Sequence, residues 1–333
     1  MSFGRKHYEK ANLIKNILLI TLPIAAFVLL ISLQGIRINE KHFPDRGLRG
    51  AIGGYVDKNK NGYLNKEELE EAKILPVWGE CSELSGVEKL KNLESISFRE
   101  CSDLSGIEKL TNLKSLGLSN TCPDLSAVEN LTNLEEISIE NCVFSDTFVF
   151  DNEASVTNLI FRNCVFENGF FLNNDSVENI EFGTSGFREC EASGDFVFAD
   201  CDALNIFRAY FRSEQEKSCS IDLSGCDNLD IVTISNDQVL TSADLSNCNK
   251  LRSFAIYDYN EKVEINLNIS NSPNIEEAFL RSRAIKKLDI SDCPHLISAS
   301  EQTPHEGDYH VSLIYESEDG LIVTDKEQIM FIK

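Results

Sequence analysis

The twelve residues Asp57-Lys58-Asn59-Lys60-Asn61-Gly62-Tyr63-Leu64-Asn65-Lys66-Glu67-Glu68 carry the sharpest local chemistry in this chain. Side-chain oxygens stand at alternate positions, Asp57, Asn59 and Asn61, and return at Asn65 and Glu68. Hard oxygen donors in this number suit a hard divalent cation. Gly62 lies among them, where the chain can turn sharply without a Cβ in the way. The flanking elements must bring such donors together. Leu48, Ile52 and Tyr55 fall on one helical face before the loop, 66–73 reads as a helix after it, and Leu64 would tie the loop to a core beneath.

This stretch resembles the EF-hand calcium loop at every position that defines it. The resemblance implies side-chain ligands at Asp57, Asn59 and Asn61, a carbonyl from Tyr63, a water-mediated contact through Asn65, and closure by both oxygens of Glu68. Only Asp57 and Glu68 among these are charged, and Lys58, Lys60 and Lys66 stand close by. Weak binding of Ca2+ is expected, in the range of about 0.1 to 1 mM typical of extracellular modules, which favours an outward-facing domain. The competing expectation is a helix-loop-helix that caps the first repeat without a metal. A single loop of this kind falls short of a dockerin, which resembles two in tandem.

Beyond the loop a hydrophobic pair returns along the chain: Ile96/Phe98, Leu116/Leu118, Ile137/Ile139, Leu159/Phe161, Ile180/Phe182, Phe196/Phe198, Ile221/Leu223, Ala243/Leu245, Leu267/Ile269 and Leu288/Ile290. Most steps are 20 to 25 residues, and one, from Phe182 to Phe198, is 16. Alternation across each pair makes a short strand with one apolar face. One such strand cannot bury that face alone. Stacking neighbours about 4.8 Å apart merges the faces into a continuous core, and a period of this length marks a solenoid. An antiparallel sandwich, with strands every 8 to 12 residues or so, fits the spacing less well.

The framing Leu93-x-x-Ile96-x-Phe98-x-x-Cys101-x-x-Leu104 resembles the leucine-rich repeat family over roughly residues 81–300. Residues 81–142 look like the internalin kind of repeat, and the later Asp-Leu-Ser-x-Cys units, Asp222 to Cys226 and Asp244 to Cys248, resemble repeats of bacterial surface proteins. The implied fold class is an α/β solenoid: a leucine-rich repeat array with a parallel sheet, a helical EF-hand-like N-terminal cap and an N-terminal transmembrane helix. The divisions are a basic tail (1–16), a signal anchor (17–35), the cap (36–80), the solenoid (81–300) and a C-terminal cap (301–333). The family implies recognition on the concave sheet, where Ser95, Ser97, Arg99, Ser115, Gly117, Ser119, Glu136, Ser138, Glu140, Ser220, Asp222 and Ser224 face outward. These are small or acidic, poor in the aromatic anchors of tight interfaces. Phe207, Tyr210 and Phe211, or Tyr257 and Tyr259, are the aromatics outside the repeat pattern. They either form a binding patch or plug the irregular stretch between Phe182 and Leu223.

Cysteines follow the repeat. Cys81, Cys101, Cys122, Cys142 and Cys164 recur every 20 to 22 residues, where a small polar side chain turns inward and satisfies backbone groups. Parallel neighbours of this kind do not converge as a disulfide requires, so free thiols are expected. Cys190, Cys201 and Cys219 lie in the irregular stretch, where pairing stays open.

Residues 17–33 are an apolar run interrupted by Thr21, Pro23 and Ser32, preceded by Arg5, Lys6, Lys10 and Lys15. The run is long for a signal-peptide core and just long enough to span a bilayer. An uncleaved anchor is expected over a cleaved leader, with the protein membrane-anchored and facing outward, or else secreted. Basic residues on both sides leave the charge bias without a direction. With 54 acidic against 31 basic residues the net charge is −23, which argues against nucleic acid. His7, His42, His295, His305 and His310, with Cys293, match no zinc spacing, and the chain shows no nucleophile elbow or phosphate loop. The expectation is a binding protein for a protein or surface ligand, not an enzyme. A structural stalk without a ligand is the alternative, and an enzyme with a site in 183–220 is the weaker one.

Overall fold

The computed structural model describes residues 35–121, 123–151, 154–184, 188–212, 217–236, 240–258, 265–275, 277–281, 285–289, 291–293, 311–314, 322–323 and 331–332. The chain coils as a parallel solenoid. A first sheet runs through Ile74–Cys81, Ser95–Cys101, Ser115–Ser119, Glu136–Glu140, Asn158–Arg162, Asn179–Phe182, Ile206–Arg212, Ile231–Asn236, Ser253–Asp258, Glu277–Arg281, Val311–Ile314 and Phe331–Ile332. Its first strand begins before position 81, inside the stretch read as the cap, and its last two lie within 301–333. The register is the one the pairs require: Ile96 sits opposite Leu116, Leu116 opposite Ile137, Ile137 opposite Leu159, and Leu159 opposite Ile180. All five are buried.

From the fourth strand onward each turn carries a second strand, and these build a second parallel sheet: Phe148–Asp151, Phe170–Asn173, Gly194–Ala199, Cys219–Asp222, Leu240–Asp244, Ile265–Asn268, Ile285–Asp289 and Ile322–Val323. This corrects the single ladder read from sequence. After Ile180 the first sheet continues with Phe207, then Val232, whereas Phe196 lies on the other wall between Phe170 and Ile221. Ala243, Leu267 and Leu288 continue that second wall. The step of 16 residues is therefore the passage from one wall to the other within a turn. Two strands with the same alternation inside one turn look alike in sequence, so periodicity alone does not assign them to a wall. Ser220 and Asp222 accordingly belong to the second sheet and not to the face that carries Ser97 and Ser138.

In the first turns the second wall is built differently. Leu84, Val87, Leu90 and Leu93, then Leu104, Ile107, Leu110 and Leu113, recur every third residue and are all buried. A spacing of three matches the 3₁₀ turn, and 3₁₀ segments stand at Val87–Lys89, Ile107–Lys109 and Ser126–Val128. Gly86 and Gly106 open the first two at φ of +100° and +103°, where a side chain would be strained. Where the pattern changes to the alternation Phe148/Phe150 and Phe170/Leu172, strands replace the 3₁₀ turns. Phenylalanines fill this wider section. The Phe170 ring lies 5.1 Å from Phe148, 5.0 Å from Phe182 and 5.8 Å from Phe196.

The ten described cysteines are buried and form no disulfide with one another, Cys190, Cys201 and Cys219 included; Cys122 lies outside the described residues. Cys219 opens the strand Cys219–Asp222 of the second sheet, and the other described cysteines form two ladders, one beside each sheet. Cys164 donates to the carbonyls of Ile139 and Arg162, and Cys248 to those of Leu223 and Ser246. Ser272 takes one rung and donates to the Leu245 carbonyl at 2.9 Å. The residue before each of several rungs, Asn141, Asn163, Asp200, Asn247, Asn271 and Asp292, has positive φ. Asn and Asp tolerate that bend better than other non-glycine residues.

Two short helices cap the N-terminal edge, α1 (Arg46–Ala51) and α2 (Lys66–Glu71). No helix among the described residues is long and apolar enough to cross a membrane; residues 17–33 lie outside them.

Candidate functional site

Local hydrogen bonds organise the loop between α1 and α2. Asp57 accepts from the backbone N–H of Asn61 at 3.2 Å and of Gly62 at 2.9 Å. Asn59 accepts from Asn61 N, and Asn61 from Tyr63 N. One oxygen of Glu68 accepts from Lys58 N, Asn59 N and the Asn59 amide, and its other oxygen accepts from Asn65 N at 3.0 Å. Asn65 returns the bond by accepting from Glu68 N, which closes a capping box at the start of α2. Gly62 has φ +79°. Tyr63–Leu64 pairs antiparallel with Ile36–Arg37, and Leu64 is fully buried.

Asp57 and Glu68 are 3% and 4% exposed. Two of the three lysines around them are engaged elsewhere: Lys60 donates to the carbonyls of Gly53 and Gly54, and Lys66 pairs with Glu70. Buried carboxylates are ordinarily paired or hold a metal. Two of them in one loop, with amide oxygens beside them and no salt bridge among the described residues, fit a divalent cation. No group of three or more His, Cys, Asp or Glu side chains among the described residues is placed to hold a metal, so the remaining donors would be Asn59, Asn61, Asn65 and the Tyr63 carbonyl. Cys293, at the far end of the array, is a buried rung of the second ladder, donating to the Ile269 carbonyl; His295, His305 and His310 lie outside the described residues.

The helical face before the loop differs from the sequence reading. Leu48 and Ile52 are buried, but Tyr55 is 43% exposed and Val56 takes the inward position. A π-turn at Ile52–Val56, with Asp57 N bonded to Ile52 O, widens the helix and turns Tyr55 outward.

Tyr55 meets Trp78, whose indole N–H donates to the Tyr55 hydroxyl at 2.8 Å. Trp78 is the chain's one tryptophan and is 65% exposed. Alternation explains its direction, since Leu75 and Val77 of the same strand point inward and are buried. Sequence reasoning did not single it out; the signal was an aromatic in the strand position opposite the core. Trp78 walls a groove of about 390 Å³ across the outward face of the first sheet. Ser97, Gly117 and Ser138 floor it, and Arg99, Asn120, Glu140 and Asn141 line it. A Cβ at 117 would come within 3.0 Å of the Ser97 Cβ. Arg99 has neither ion pair nor hydrogen bond among the described residues, whereas Glu140 is held by Arg188 at 2.7 Å.

Asp45 fastens this region to the cap. Burial opposes its charge, but backbone N–H donors from Ser82 and Leu48 hold its carboxyl below the usual range. It caps α1 through Leu48 N at 2.8 Å and accepts from Ser82 N at 3.0 Å.

The aromatic cluster proposed from sequence is not a surface. Phe207 and Phe211 are buried in the first sheet, where Phe211 stacks toward Phe182 and Phe196. They occupy inward positions of a strand that the single-ladder reading missed. Tyr210 and Tyr257 are half-buried on the outward side, and Tyr259 lies outside the described residues.

No family model matches the chain, and a search of curated proteins found no match. Among solved structures the chain is similar to an internalin (inlF) of Listeria monocytogenes, at 16% identity over 85% of this chain and 98% of that one, with a TM-score of 0.36. It is also similar to an internalin C2 of the same organism, at 17% identity over 78% and 89% of the two chains, with a TM-score of 0.35. Likenesses this loose carry no argument of their own, and the solenoid rests on its strand register.

Proposed function

We propose that this chain is a cell-surface binding protein of the leucine-rich repeat kind that takes its ligand on the outward face of the first sheet and is stabilised by a weakly held Ca2+ in its cap. The observation that carries the reading is the groove beside Trp78. An exposed indole is fixed by Tyr55 instead of collapsing onto the core, and small residues lie below it. Held side chains lose little freedom on binding, which is where rigid scaffolds gain affinity. The lining residues hold and orient a ligand, so binding and not catalysis is the reading.

Asp57, Asn59, Asn61, Tyr63, Asn65 and Glu68 would hold the cation. Its positive charge would neutralise two buried carboxylates and so favour the folded cap. The apolar run at 17–33 supports anchoring in a membrane, and weak binding of Ca2+ in the 57–68 loop favours the solenoid on the outer side. Capture from bacterial and host surface extracts, with and without millimolar calcium, tests the reading. The parent protein should retain a partner that Trp78→Ala releases; no partner for the parent, or equal retention by the variant, overturns it.

A further inference from the structure

The groove on the first sheet has a shape and chemistry that narrow its ligand, and this inference rests on the binding reading above. We infer that it takes a short neutral oligosaccharide laid across the strands with one ring against Trp78. Three features carry this. Trp78 is the one large exposed apolar side chain among the residues that line the groove, 65% exposed, and its indole is held by its N–H bond to Tyr55. A flat, rigid aromatic of that kind suits the C–H face of a pyranose.

The other walls are planar hydrogen-bonding groups. Asn120 and Asn141 offer amides, Arg99 offers a guanidinium without an ion pair among the described residues, and Glu140 offers a carboxylate already neutralised by Arg188. Hydroxyl-rich ligands need both donors and acceptors at close range, and amides supply both. An anionic chain is disfavoured by the net charge of −23.

Dimensions agree as well. A volume of about 390 Å³ falls in the range of small-ligand sites, roughly 300 to 1,000 Å³. The groove crosses four strands, from Trp78 to Glu140, and strands repeat about every 4.8 Å. A pyranose chain advances by nearly that distance per ring, so about three rings lie over the Ser97, Gly117 and Ser138 floor. A protein partner would need roughly 800 Å² of each surface and a desolvated apolar centre, which the groove itself does not supply.

The test uses the full chain in a mild detergent on an array of defined neutral, sialylated and sulfated oligosaccharides, followed by titration with the best neutral trisaccharide while Trp78 emission is read. Saturable binding of a neutral glycan with a change in emission is expected. Trp78→Ala and Arg99→Ala should each weaken it by tenfold or more, and Val149→Ala, at an exposed position on the second sheet, should not. Far-ultraviolet circular dichroism of each variant matching the parent keeps loss of binding separate from loss of fold. No neutral glycan bound at 1 mM or so, or binding that both groove variants retain, overturns the inference. Capture from extracts that survives periodate oxidation of their sugars also overturns it while leaving the broader binding reading in place; absence of any partner removes both.

Discussion

The indole N–H of Trp78 and the hydroxyl of Tyr55 meet at 2.8 Å and join the first strand of the solenoid to the turn that leads into the loop from Asp57 to Glu68. Tyr55 stands two residues before Asp57, and Lys60 of the loop holds the carbonyls of Gly53 and Gly54 in that same turn. Any tightening of the loop therefore acts on the wall of the groove.

Calcium should be read by this contact. Titrating the full chain is expected to change Trp78 emission over the range of about 0.1 to 1 mM, and saturation at about 100 times the dissociation constant should add about 2.7 kcal/mol to the unit that contains the loop. Glu68→Ala should abolish both effects. Calorimetry and emission unmoved by millimolar calcium would remove the metal from the account.

Asp45 should matter through the interface between cap and solenoid. Replacing it with Asn is expected to cost about 1 to 2 kcal/mol at pH 7, since Asn can still cap through Leu48 N but sets an amide NH2 where the second carboxylate oxygen accepts from Ser82 N. Its folded pKa is depressed, so its contribution is present above the unfolded value and is lost as pH falls through the depressed one. Urea melts of parent and variant should differ at pH 7 and converge toward pH 2; a constant gap would contradict this.

Alkali should unfold the array through its thiols. Burial pushes Cys201, Cys219 and Cys248 up to about 12. Raised values favour the folded state below the unfolded thiol range, near 8.5 to 9, and that contribution is lost as pH rises toward 12. Denaturant midpoints should fall over that window, and thiol-specific reagents should label these three slowly at pH 7 until the chain unfolds. Rapid native labelling of Cys219 would contradict this assignment.

Phe170 is the centre of the aromatic interior, so Phe170→Ala should cost about 3 to 5 kcal/mol, more than the same change at Phe148, which is 8% exposed at the edge of the second sheet. Denaturant unfolding of both variants measures the difference. Equal losses would mean that the ring stack is not the tightest part of the core.

Spacing along the chain was enough to read the solenoid, the inward pairs from Ile96/Phe98 to Ile180/Phe182 and the buried thiols of the regular repeats such as Cys81, Cys101 and Cys164, whereas the state of Cys190, Cys201 and Cys219 was not legible from it. Alternation fixes which side of a strand is apolar, whereas the 3₁₀ turns at Val87–Lys89 and Ile107–Lys109 emerged with the fold. The turns within the loop from Asp57 to Glu68 follow from neighbouring residues, since their hydrogen bonds are local. Pairing between distant turns puts Phe196 and Phe207 on different walls and buries Phe207 and Phe211 in the interior. The groove beside Trp78 also belongs to the fold, because its residues come from four turns, and what Trp78 faces depends on a π-turn that points Tyr55 outward. Position within a turn is written in the chain, but which wall a strand joins is settled by pairing with the turn above and the turn below.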